Sequence, residues 1–80
     1  MEIKLIAFGI ARDILQERSI VWPVERDSTI ADVKEALQAA FPAFAKLRSL
    51  RCAVNEDYVP DSHVVRDGDE VVLIPPVSGG

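Results

Sequence analysis

The sequence predicts an α+β fold, a mixed sheet wrapped on one main helix, and three observations predict it. Residues 2–8 alternate in the period-two pattern of a strand. Residues 29–41 carry a capped, one-sided apolar helix pattern. Residues 71–74, Val-Val-Leu-Ile, form a short apolar run that reads as a buried strand. Pro75 and Pro76 follow it, and proline cannot donate to a sheet ladder, so the strand should end there. The eighty residues are read as one domain, residues 1–80, with residues 75–80 as a functional, flexible C-terminal tail.

In the first strand Ile3, Leu5 and Ala7 would line one face, and Lys4, Ile6 and Phe8 the other. One face must cover the core. The other then carries Ile6 and Phe8, more apolar surface than a solvated side needs, so another element or a partner should cover it. Residues 10–17 place Ile10, Ile14 and Leu15 at helical spacing. Ser19 to Val24 reads as a strand with Ile20, Trp22 and Val24 on one face, and Pro23 marks it as an edge strand.

The main helix follows. Thr29 and Asp32 fit a capping box. Ile30, Val33, Leu37 and Phe41 recur three and four apart, and Pro42 stops the helix because the residue before proline disfavours helical dihedrals. Residues 42–47 add a turn or two. Arg51 to Val54 is the next strand, Asn55-Glu56-Asp57 a turn, and Tyr58-Val59 a short strand stopped by Pro60. Residues 60–66 connect to the tight turn Asp67-Gly68-Asp69, which launches the last strand at Glu70. The first and last strands should be parallel neighbours at the centre of the sheet, placing the tail beyond its rim.

Composition narrows the function classes. With 49% hydrophobic and 28% charged residues the chain has the make-up of a globular protein. No apolar run approaches the ~20 residues of a membrane span, so no membrane role is expected. No signal-peptide pattern opens the chain, and one cysteine fits a reducing compartment, which makes the cytoplasm the expected location. Net charge is −4 with no basic cluster, which argues against nucleic acid; an acidic surface would suit a partner with a positive docking patch.

The tail carries the chemistry. Its root, Pro75-Pro76, favours a stiff extended path; its tip, Gly79-Gly80, has no side chains. Six extended residues reach roughly 20 Å. A Gly-Gly end can enter a narrow channel, and the unhindered Gly80 carboxylate can be approached by a nucleotide phosphate, to form an acyl-adenylate, and then by a sulfur nucleophile. Such a terminus would act as a carrier, loaded and unloaded in covalent steps. The plain alternative is a frayed chain end.

The run Asp67-Gly68-Asp69-Glu70-Val71-Val72-Leu73-Ile74-Pro75-Pro76-Val77-Ser78-Gly79-Gly80 resembles the C-terminal signature of the molybdopterin synthase small subunits. Ala53-Val54-Asn55, Tyr58-Val59, Phe8 and Arg12 are similar to that family as well. The resemblance implies a ubiquitin-like β-grasp fold and a sulfur-carrier role. It implies that an adenylating enzyme resembling ubiquitin-activating enzymes uses ATP to activate Gly80, with no cofactor held stably by the chain itself. A sulfur donor protein would then convert Gly80 to a thiocarboxylate. The loaded tail would enter the large subunit of molybdopterin synthase and give sulfur to a pterin precursor, forming the dithiolene. By the same resemblance Gly79 is the slim neighbour in the channel, Pro75, Pro76, Val77 and Ser78 line the tail's path, and Phe8, with Ile6 and Arg12, meets the large subunit.

The remaining reactive residues have plainer readings. Cys52 lies in a strand pattern and reads as an inert buried thiol. His63 is the only histidine and reads as a solvated loop residue; one histidine supplies no usual metal site. Asp67, Asp69 and Glu70 could suggest a metal, but Gly68 between them makes a turn the better reading. Trp22 and Phe41 read as core. No nucleophile–base pair or phosphate loop is visible, so no activity is expected of the chain alone. Three other functions share the tail or the fold: a sulfur carrier for thiamine synthesis or tRNA thiolation, a modifier that forms an amide with lysine, and an interaction domain whose tail is unused.

Overall fold

The computed structural model describes residues 1–47 and 50–75. Its elements run β1 (Glu2–Ala7), α1 (Gly9–Leu15), β2 (Ser19–Pro23), α2 (Ile30–Ala40), a 3-10 helix (Pro42–Lys46), β3 (Arg51–Val54), β4 (Asp57–Val59) and β5 (Glu70–Ile74). The strands form one mixed sheet in the order β2-β1-β5-β3-β4. Among the described residues only the β1–β5 pair is parallel, and β5 lies at the centre of the sheet. This is the expected α+β architecture, and the expected edge position of the proline-bearing β2 holds as well.

Alternation dictates which residues face the helices. Ile3, Leu5 and Ala7 of β1, Val71 and Leu73 of β5, and Cys52 and Val54 of β3 are all buried. They pack in one cluster with Ile30, Val33 and Leu37 of α2, Ala11 and Leu15 of α1, and Phe44 of the 3-10 helix. The α2 start obeys its sequence: Thr29 Oγ1 accepts from the Asp32 N–H at 3.2 Å, and Asp32 Oδ2 accepts from the Thr29 N–H at 2.9 Å. These two bonds satisfy amides that the first turn leaves free. Trp22 and Phe41 pack half-buried against the core, with ring centroids 6.3 Å apart, and Phe41 meets Phe44 edge-on at 6.2 Å.

Several boundaries differ from the sequence reading, the first strand among them: it ends at Ala7 rather than at residue 8, and Phe8 is the residue before α1. The first helix is Gly9–Leu15 rather than 10–17, because Gln16 takes a left-handed φ of 60° and its N–H closes on the Arg12 carbonyl at 2.7 Å. That geometry ends a helix whatever the apolar spacing beyond it. The second strand stops at Pro23, although the Val24 N–H still donates to the Met1 carbonyl at 2.8 Å. Asp57 belongs to β4 rather than to the turn, since it pairs with Val54; Asn55 and Glu56 alone make the left-handed corner, at φ 49° and 77°.

Candidate functional site

The parallel β1–β5 pair decides where the tail leaves the sheet. Ala7 pairs with Leu73, and Arg51 of β3 pairs with Ile74. The end of β1, the start of β3 and the end of β5 therefore share one rim. Phe8 is the residue before α1 and is 55% exposed at that rim. Gly9 follows with φ +54°, a backbone that an L side chain rarely adopts. A Cβ placed on Gly9 would lie 3.8 Å from Cγ of Pro75, so the β1–α1 corner lies against the root of the tail. Pro75 is half-buried. Pro76, Val77, Ser78, Gly79 and Gly80, all singled out from the sequence, lie outside the described residues.

Both helices pack on one face of the sheet, and among the described residues no element covers the other. The registers align one row across that open face: Ile6 beside Val72, Val72 beside Ala53, Ala53 beside Tyr58. Ile6 and Val72 are half-buried, and Tyr58 is 68% exposed. The apolar outward face expected from Ile6 and Phe8 is thus wider than β1. Val72 and Tyr58 join it, with Ala53 between them at 5% exposure. The signal was present as alternation in each strand; only the register adds the strands together. Arg12 is exposed on α1 at the same rim, so Ile6, Phe8 and Arg12 share one end of the molecule.

The other reactive residues stand apart. Cys52 faces the core at 1% exposure. Burial pushes its thiol up from 9.0 to about 11, against a weaker opposing pull from Lys34. A thiol so held stays protonated and is a poor nucleophile. Lys34 itself pairs with Asp61 at 2.7 Å. His63 is half-buried rather than fully solvated, because its loop is tied to α2: its carbonyl accepts the Ile30 N–H at 2.9 Å. Asp69 serves the turn, accepting from the Arg66 N–H at 2.8 Å and from Asn55 Nδ2 at 3.2 Å. A groove between the Asn55 corner and the 63–66 loop is lined by Asn55, Asp57, His63 and Arg66, at the end of the sheet opposite the tail.

The sequence matches the ThiS family over residues 5–80. The chain belongs to that family. It is 35% identical over 81 residues to the molybdopterin synthase sulfur carrier subunit of Arabidopsis thaliana, covering all of this chain and 84% of the relative. Among solved structures it resembles the small archaeal modifier protein 1 of Haloferax volcanii, with a TM-score of 0.84, 25% identity and full coverage of both chains. It also superposes on a chain of the complex of subunits 1 and 2 of molybdopterin-converting factor from Helicobacter pylori, with a TM-score of 0.69, 23% identity and full coverage of both chains. The ubiquitin-like β-grasp fold implied by the tail signature is therefore the fold of this family member.

Proposed function

We propose that this protein is the sulfur-carrier subunit of a molybdopterin synthase. The observation that carries the proposal is the Pro-Pro-Val-Ser-Gly-Gly sequence placed directly after the central strand, at the rim where Phe8 and Arg12 are exposed. In this reading the Gly80 carboxylate attacks the α-phosphate of ATP on a ubiquitin-activating-like enzyme and releases pyrophosphate. Sulfide-level sulfur from a donor protein then displaces AMP, exchanging one carboxylate oxygen for sulfur. The chain holds no nucleotide of its own and works in a reducing cytoplasm, where the thiocarboxylate survives. The loaded tail enters the large subunit and donates its sulfur to the pterin precursor. The open face around Ile6 and Phe8 holds the two subunits together while the tail reaches inward. The similarity to a named sulfur carrier subunit supports this role, and the subunit complex of the Helicobacter pylori protein supports a large-subunit partner.

A second reading is a modifier joined to lysine through Gly80, favoured by the likeness to the archaeal modifier protein. One experiment separates the two. The intact protein is incubated with the activating enzyme, ATP and a sulfur source, and its mass is followed. Gain of one oxygen-to-sulfur exchange mapping to Gly80, followed by product formation with the large subunit, is expected. An unchanged mass, or a change mapping to Cys52, overturns the carrier reading; a ladder of lysine conjugates favours the modifier.

A further inference from the structure

The net charge of −4 hides a separation that the topology creates. Arg18 lies level with Ala7, whose N–H donates to the Arg18 carbonyl at 2.9 Å. Arg51 lies level with Ile74 on the other side of β5. Arg12 sits on α1, and Lys46 closes the 3-10 helix that packs on α1. All four are exposed, and the carboxylates near them among the described residues are Asp13, Glu17 and Asp61, the last sharing a groove with Arg51 and paired with Lys34 at 2.7 Å. The opposite end of the same strands gathers Glu2, Asp27, Glu56, Asp57, Asp67, Asp69 and Glu70, which outnumber the cations there, Lys4 level with Glu70, the Met1 amine, Arg26 and Arg66. An acidic protein thus carries a cationic collar around the root of its tail.

The collar is too wide for one small anion. Arg18 and Arg51 are separated by the β2–β1, β1–β5 and β5–β3 spacings, roughly 14 Å at about 4.8 Å per strand. No single phosphate spans that, whereas a protein surface does. We infer that the collar docks on an acidic rim surrounding the mouth of the channel that receives the tail. This rests on the carrier reading, and it gives the large subunit's contact surface a sign opposite to the one expected from net charge. The consequence is orientation. An acidic mouth attracts the collar and repels the carboxylate-rich far end, so encounters proceed tail first. Charges at an interface rim act mainly on association rate, and the effect fades with salt.

The test measures association and dissociation rates of the full-length protein with the large subunit, at low and high salt. The variants are Arg18→Glu/Arg51→Glu, Arg18→Lys/Arg51→Lys, and Glu56→Lys/Asp57→Lys at the far end. Wild-type association should slow with salt. The glutamate pair should slow it about tenfold or more at low salt with dissociation little changed, while the lysine pair behaves as wild type. The far-end pair should shift the rate by less than about twofold. A glutamate pair that associates as fast as wild type, or a larger effect from the far-end pair, overturns the collar alone. Failure of the wild-type protein to bind the large subunit at all overturns the carrier reading, and with it the partner assigned to the collar.

Discussion

The two ends of the central strand are built in opposite ways. At the Glu70 end the backbone is tied from several sides. The Lys4 N–H donates to the Asp69 carbonyl at 2.9 Å, the Gly68 N–H to Glu2 at 2.7 Å, and the Asn55 N–H to Glu70 at 3.0 Å. Asp67 Oδ1 takes the Glu2 N–H at 2.9 Å, and Asn55 Oδ1 takes the Glu70 N–H at 3.3 Å. At the Ile74 end the neighbours are Arg51, the exposed Phe8 and the Gly9 corner against Pro75. One end fixes register; the other presents side chains to whatever approaches. Polar groups that satisfy each other hold a turn in place but leave little for a partner to bind. Stability and function should therefore separate along a single strand.

The largest expected effect lies wholly on the functional side. Deleting Gly79 and Gly80 should abolish sulfur transfer, while the melting transition moves by less than about 0.5 kcal/mol and large-subunit binding persists. Gly80→Ala should cost on the order of 100-fold in rate, because a methyl displaces the reacting carbonyl. Product formation, affinity and melting temperature measured on the same proteins check this. A truncated protein that melts far below the parent would make the tail structural, and one that still forms product would end the carrier reading.

The buried face should show the reverse. Leu73 is wholly buried at the junction of β1, β3 and β5, and Leu73→Ala should destabilise by about 2–5 kcal/mol in a denaturant titration. Its neighbour Cys52 adds a pH signature. Its thiol titrates at about 11 in the folded chain against 9.0 when unperturbed. Between those values the unfolded chain loses its proton first, so stability is full below about 9 and falls as pH rises toward about 11, by at most about 1.4 kcal/mol per unit. Cys52→Ala should remove that slope, and a slope that survives the substitution would assign it elsewhere.

Phe8 tests the rim directly. Phe8→Ala should weaken large-subunit binding at least about tenfold, as loss of an aromatic anchor does, with the fold nearly intact. Calorimetric binding and thermal melting decide it together; a collapse of the melting temperature would make Phe8 a core residue despite its exposure.

How much of this was readable beforehand follows from which interactions are local. The strand faces, the Thr29–Asp32 cap and the stop at Pro42 depend on neighbours in sequence, and they were legible. The left-handed turn at Gln16 was not, because nothing in its residue type demands φ 60°. Phe8 was legible as outward-facing, but the Ile6–Val72–Ala53–Tyr58 row required the register of four strands. The charge separation was less legible still. Arg18 and Arg51 are far apart in sequence, and composition averages them with carboxylates that the parallel and antiparallel pairings send to the other end.

The smallest effect should come from Asn55, and it isolates the tied end. Its backbone stands at φ 49°, its Oδ1 accepts the Glu70 N–H, and its Nδ2 reaches Asp69 Oδ1 at 3.2 Å. Two costs are therefore mixed in Asn55→Ala: lost hydrogen bonds, and a left-handed conformation worth about 1–2 kcal/mol for a residue with a Cβ. Asn55→Gly keeps the conformation and removes only the side-chain bonds. Because the site is exposed, water replaces part of what is lost, and each bond counts for about 0.5–1.5 kcal/mol at most. The alanine protein should thus be less stable than the glycine protein, and the glycine protein about 1 kcal/mol less stable than the parent. Both should bind the large subunit as the parent does, since Asn55 sits beside Glu70 and Ile74 marks the other rim. Equal stability of the two variants would show that the corner stores no backbone strain. A loss of affinity in either would show that the two ends of the strand are coupled after all.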